Sequence, residues 1–197
     1  MKYPGRRLPA FAVAETRRLG LCKWLARFGS GDAHGSRHTP RVRMTPERQE
    51  SPAGILVIGY GNTLRRDDGV GPKVADAVAA LALPGVRALA CPLLTPELAD
   101  PISRARVAIF VDAAVDAPLE VQLRILAPAG SSQIMAHAAN PATMLALARD
   151  AFGHAPEAWW LTIPVADLGV GEELSPLAQR GFEVAVDEVK KCAARGR

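Results

Sequence analysis

The chain has 197 residues, 49% of them apolar and 22% charged, a composition that suits one soluble globular domain with an ordinary core. No apolar run is long enough to span a membrane, and three scattered cysteines (Cys22, Cys91, Cys192), without CxxC spacing, exclude a disulfide framework and a cysteine zinc site and fit a reducing, cytoplasmic setting. The net charge of +4 is uneven: residues 1–50 hold eleven Lys or Arg against four Asp or Glu, hence +7, and the remainder holds thirteen against sixteen, hence −3.

Residues 1–52 therefore read as a basic, disordered extension, with one short amphipathic stretch near Ala14 to Phe28 and a Gly/Ser/His/Arg segment after it. Arg6-Arg7 does not make an export signal, because the apolar run LPAFAVA is short and meets Glu15 and two more arginines. The basic tail lacks interleaved aromatics or a docking fold, so no nucleic-acid partner is expected. Met44 is the expected natural start, eleven residues before the first strand.

From residue 53 the chain alternates strands and helices in a single domain, 53–197. GILVIGY is a continuous apolar run of the kind buried on both faces of a parallel sheet. GPKVADAVAALAL follows as a helix with Val74, Val78 and Leu81 on one face and Pro72 in the first turn. GVRALAC is a second strand, TPELADPIS a short helix opened by Thr95 and Pro96, and RVAIFVDAA a third strand ending near Asp112. LEVQLRIL alternates and carries Glu120, Gln122 and Arg124 outward, as an edge or half-exposed strand does. PATMLALARDAF is a helix and AWWLTIPV a strand. SPLAQRGFEVAVDEVKKCAAR is a long last helix with Ser175 as cap and Pro176 at its first position. The order β-α-β-α-β-β-α-β-α predicts an α/β sandwich around a largely parallel sheet.

Ligands of open α/β sheets gather at the carboxyl ends of the strands, so the segment ILVIGYGNTLRRDDGVGPKV, residues 55–74, is where chemistry is expected. A dinucleotide fingerprint would need a third glycine where Leu64 stands, and two carboxylates there would repel a pyrophosphate. Gly59 and Gly61 instead give a sharp exit from the strand, with Asn62 bonding its own backbone. Asp67 reads equally well as a charge at a helix N-terminus. Asp68 does not, since two adjacent acids cannot both cap one helix, and Gly69 and Gly71 leave room beside it. Asp112 ends an otherwise uncharged apolar strand, where a carboxylate must be paired, solvated or bound to a cation. His137, between a Gly/Ser loop and a helix, completes an Asp/Asp/His set of mixed O/N donors suited to Ni²⁺ or Zn²⁺, whereas His154 reads as a loop residue. The spacing Asp-x43-Asp-x24-His has no local signature of its own.

In ILVIGYGNTLRRDDGVG, VAIFVDAA, the His137 segment leading into ATMLALARDAFGHAP, and LTIPV with LGVGEELSP, the chain resembles the maturation endopeptidases of NiFe hydrogenases. The resemblance runs from Gly54 to the C-terminus in family order. It implies a three-layer α/β/α sandwich around a mostly parallel twisted sheet. It also implies removal of a C-terminal extension from the hydrogenase large-subunit precursor after nickel insertion. Matched position by position, Asp68, Asp112 and His137 become the metal-binding and catalytic set, with Gly59, Gly61, Asn62, Asp67 and Gly69 shaping the turn. The nickel would be the substrate's own. Whether a polarised carbonyl or an activated water carries the cleavage, and whether Asp67 or Asp112 is the base, stays open. ACPLLTPELADP stands where many members carry a glycine-containing acidic loop after the second strand, which leaves the particular hydrogenase undetermined. A metal-checking chaperone without peptidase activity and a nucleotide-binding module are the alternatives. A monomer is expected.

Overall fold

The computed structural model describes residues 54–115, 118–130 and 140–195. The basic leader, Met44 and His137 lie outside the described residues.

Among the described residues five strands form one sheet: β1 (Ile55–Tyr60), β2 (Val86–Cys91), β3 (Val107–Ala114), β4 (Gln122–Leu126) and β5 (Glu157–Pro164), in the order β2-β1-β3-β5-β4. The first three pairings are parallel and β4 joins β5 antiparallel, as an edge. Four α-helices cover the sheet: α1 (Val70–Ala80), α2 (Ala99–Ser103), α3 (Pro141–Phe152) and α4 (Pro176–Arg195). The element order is the one expected from the sequence, and the class is α/β with a mostly parallel sheet between two helical layers.

The layers follow from strand alternation. Ile55, Val57, Ile109, Val111, Leu161 and Ile163 point to α1 and α4, against Val70, Val74, Val78, Ala185 and Val189. Leu56, Ile58, Ala108 and Phe110 point the other way, to Ile102 of α2 and Met144, Leu145 and Ala148 of α3. Both faces of β1 and β3 are thus buried, which is why those strands read as unbroken apolar runs.

Two expectations need correction. Leu81 lies just past the end of α1 and is 43% exposed, so that helix face ends at Val78. At β4 the outward pattern holds for Arg124 and for Glu120 just before the strand, whereas Gln122 is partly buried and Ile125, expected on the inner face, is 75% exposed.

The last helix starts as its sequence suggests: the Ser175 hydroxyl accepts from the Ala178 N–H at 3.2 Å. α3 is capped by Asn140, whose side chain accepts from Ala142 N–H at 2.8 Å, and is closed by Gly153 at φ 78°. No helix of the described residues is long and apolar enough to cross a membrane.

Candidate functional site

The connection from β1 crosses one face of the sheet through α1 to reach β2. The connection back from β2 crosses the other face through α2 to reach β3 on the opposite side of β1. Those directions diverge at the carboxyl ends of β1 and β3, the topological switch point at which open α/β sheets bind their ligands. A single 3₁₀ turn, Arg66–Gly69, lies there between β1 and α1 and carries both acids.

Glycines let this turn sit directly on the sheet. A Cβ on Gly59 would stand 2.0 Å from the Gly71 carbonyl oxygen, and one on Gly71 would stand 2.5 Å from that of Tyr60 and 2.6 Å from that of Val111. Gly61, at φ 140°, passes so close to Asp68 that its Cβ would meet the Asp68 carbonyl oxygen at 2.0 Å. The room expected beside Asp68 at Gly69 and Gly71 is therefore filled by the protein's own backbone. Asn62 makes the expected local bond, its side-chain oxygen accepting from Leu64 N–H at 3.0 Å.

The neighbouring acids have different surroundings. Asp67 is wholly buried, and its carboxylate accepts from the N–H groups of Ala166 (2.9 Å), Asp167 (2.9 Å) and Ser175 (2.6 Å) and from the Ser175 hydroxyl (2.7 Å). Burial alone would raise its pKa, but the donors from Ser175, Ala166 and Asp167 outweigh burial and hold it below the usual carboxylate value. The backbone fastens the same two segments together: Arg66 N–H donates to Gly171 O at 2.7 Å, Gly171 N–H to Leu64 O at 2.9 Å, and Asp67 N–H to Asp167 O at 3.1 Å. Arg66, at φ 44°, also pairs its guanidinium with Asp167 at 2.6 Å. Asp67 is thus a buried anchor for the segment between β5 and α4, and not a surface charge at a helix end.

Asp68 is half-buried, and one of its oxygens accepts from Asn62 N–H at 3.1 Å. Asp112 lies near the end of β3 with Oδ2 accepting from the Tyr60 hydroxyl at 2.6 Å. Desolvation raises the Asp112 pKa; the Tyr60 bond opposes this, and the charge of Asp68 adds to it. Burial, reinforced by the adjacent Asp112 carboxylate, also raises the Tyr60 phenol.

Of the predicted set, Asp68 lies in the turn after β1 and Asp112 near the carboxyl end of the adjacent β3, and His137 lies outside the described residues. Among those residues no three His, Cys, Asp or Glu side chains form a group able to hold a metal ion. The two carboxylates fit a hard or borderline cation that carries further ligands of its own. His154 is exposed in the loop after α3, as expected. Tyr60 and Trp160 were missed by sequence reasoning, which counted them as apolar strand residues. The available signal was register: Gly59 pairs with Val111, so the next residue, Tyr60, falls beside Asp112.

No protein-family model and no curated protein matches the chain. Solved structures do. A hydrogenase 2 maturation peptidase from a Thaumarchaeota archaeon matches with 26% identity and a TM-score of 0.55 over 71% of this chain and 97% of that one. The NiFe hydrogenase maturation protease HybD of Thermococcus kodakarensis matches with 24% identity and a TM-score of 0.54, covering 71% and 98%. The hydrogenase maturating endopeptidase HybD of E. coli matches with 20% identity and a TM-score of 0.57, covering 72% and 92%. The resemblance drawn from the sequence is borne out, and the fold is that of these maturation proteases.

Proposed function

We propose that the chain is a hydrogenase maturation endopeptidase, which removes the C-terminal extension of a NiFe hydrogenase large-subunit precursor once nickel has been inserted. The observation that carries this reading is the fold, shared with proteins named for that activity, which sets Asp68 in the turn after β1 and Asp112 near the carboxyl end of the neighbouring β3. In this reading Asp68, Asp112 and His137 contact the nickel already held by the precursor. One oxygen of Asp68 and one of Asp112 are taken by protein donors, so the two carboxylates are a poor chelator of free metal by themselves. A metal that arrives with most of its ligands needs only such partial completion, and recognition then reports whether the precursor is loaded. The metal at this site would polarise the scissile carbonyl or activate a water beside it.

The buried position of Asp67, whose carboxylate accepts four bonds from the β5–α4 segment, removes it from the choice of general base and leaves the second oxygen of Asp112. A nucleotide-binding role fits poorly. The turn glycines are occupied by backbone packing, and the Asn62 N–H that would face a phosphate is taken by Asp68.

The test is in vitro processing of nickel-loaded and nickel-free precursor by wild type and Asp68→Ala, followed by intact mass. Loss of a C-terminal peptide from loaded precursor alone, and with wild type alone, is the expected result. Binding without any change in precursor mass would instead assign the chain a metal-checking chaperone role. The protein is expected to act as a cytoplasmic monomer that meets the precursor transiently.

A further inference from the structure

Tyr60 closes β1 on the α2/α3 side of the sheet, one register step beyond the Gly59–Val111 pair, and so falls beside Asp112 on the same face. Its hydroxyl donates to Asp112 Oδ2 at 2.6 Å, the length of a charge-assisted O–H···O⁻ bond. Trp160 flanks the pair from β5, in register with Phe110, and its indole lies beside both Tyr60 and Asp112. The Trp160 Nε1 atom is buried without a hydrogen-bond partner among the described residues, so a second donor stands next to the carboxylate and is not committed elsewhere.

A carboxylate at a strand end turns freely about its last side-chain bond unless something holds it. Asp112 has reason to turn away from Asp68, whose charge repels it. Seating its Oδ2 on Tyr60, with the Ala113 N–H as a further donor to the carboxylate, restricts that freedom and orients Oδ1 toward whatever arrives at the strand end.

We infer that Tyr60, backed by Trp160, is the positioning residue of Asp112: it fixes the carboxylate by Oδ2 so that Oδ1 meets the metal presented by the substrate. The inference rests on the maturation-endopeptidase reading. It assigns Tyr60 no contact with substrate; its effect passes through Asp112.

Tyr60→Phe removes the hydroxyl and keeps the ring in its apolar surroundings. Wild type, Tyr60→Phe, Asp112→Asn and the double variant are compared in two assays: the ratio of affinities for nickel-loaded and nickel-free precursor, and single-turnover cleavage of loaded precursor by intact mass. Tyr60→Phe is expected to lower the loaded-over-free preference about tenfold, the scale of one hydrogen bond to a charged group. It should slow cleavage, leave affinity for nickel-free precursor unchanged, and add nothing in the Asp112→Asn background. Trp160→Phe should move the same ratio in the same direction by less. A Tyr60→Phe protein with wild-type preference, or one whose effect persists undiminished beside Asp112→Asn, overturns the inference and makes Tyr60 a packing residue. If wild type neither cleaves nor prefers loaded precursor, the functional reading itself fails and the inference falls with it, an outcome distinct from the other two.

Discussion

Replacing Asp67 by Asn tests whether the buried acid is an anchor. Three of its four donors, Ala166 N–H, Asp167 N–H and the Ser175 hydroxyl, converge on Oδ2, and Ser175 N–H alone meets Oδ1. An asparagine keeps most of these bonds when its oxygen takes the Oδ2 place, which turns its NH₂ against Ser175 N–H. One buried N–H is then left unsatisfied, at about 1–3 kcal/mol, and three charge-assisted bonds become neutral ones at a further loss of about 0.5–1 kcal/mol each. Burying an amide instead of a charge offsets part of that, so the net loss should be about 3 kcal/mol. In a domain of this size such a loss lowers Tm by about 10 °C, read by calorimetry or circular dichroism at neutral pH. The pH dependence gives an independent check. Because the folded pKa of Asp67 is depressed, its contribution is complete above the unfolded carboxylate value of about 3.9 and disappears as pH falls through the folded value. The gap in stability between wild type and Asp67→Asn should therefore be constant above about pH 5 and narrow steadily below about pH 4. A variant melting within a degree of wild type at neutral pH, or a gap that does not narrow in acid, would refute the anchor.

Asp68→Asn, one residue away, should leave stability within about 0.5 kcal/mol, since among the described residues its side chain bonds only the Asn62 N–H near the surface, yet abolish precursor processing. Gly71→Ala pushes a methyl group onto the carbonyl oxygens of Tyr60 and Val111, so α1 must lift from the sheet; chemical denaturation should show a loss of about 3 kcal/mol. Arg66→Gln breaks an ion pair whose members are 44% and 40% exposed, and should cost under about 1 kcal/mol, a loss that shrinks further in high salt. Ile125→Lys, on the exposed β4 edge, should leave Tm unchanged and reduce aggregation on concentration, followed by light scattering.

The order of elements was legible because each run of β1, β3 and β5 is apolar on both faces, and because α3 and α4 open on Asn140 and Ser175 followed by proline. Asp112 could be singled out because a charge at the end of a buried strand demands a partner, and Asp68 because two adjacent acids cannot both cap one helix. The parts that stayed hidden depend on contacts made far along the chain. Asp67 and Ser175 are 108 residues apart, and nothing local to either marks that bond. The Tyr60–Asp112 bond spans 52 residues, and only a strand register could have suggested it. Room beside Gly69 and Gly71 was a wrong inference from composition, because a glycine admits a neighbouring backbone as readily as a ligand.

In the proposed function the adjacent acids divide two tasks that one residue could not perform. A carboxylate that accepts from four donors holds two segments together, and it has little capacity left for anything arriving from solvent. A carboxylate meant to meet an arriving metal must keep an oxygen open, which leaves its own position poorly determined. Fixing Asp67 in the β5–α4 segment eases the second difficulty for Asp68, because the two are consecutive residues of one 3₁₀ turn and share its backbone. Asp68 inherits the rigidity of its neighbour, and Asp112 gains the same benefit from Tyr60 across the ladder. Both site carboxylates are then held from behind, through bonds that a cation need not break. A substitution at Asp67 should accordingly reduce processing through misplacement of Asp68 even at temperatures where the variant remains folded, while one at Asp68 reduces processing with the fold intact.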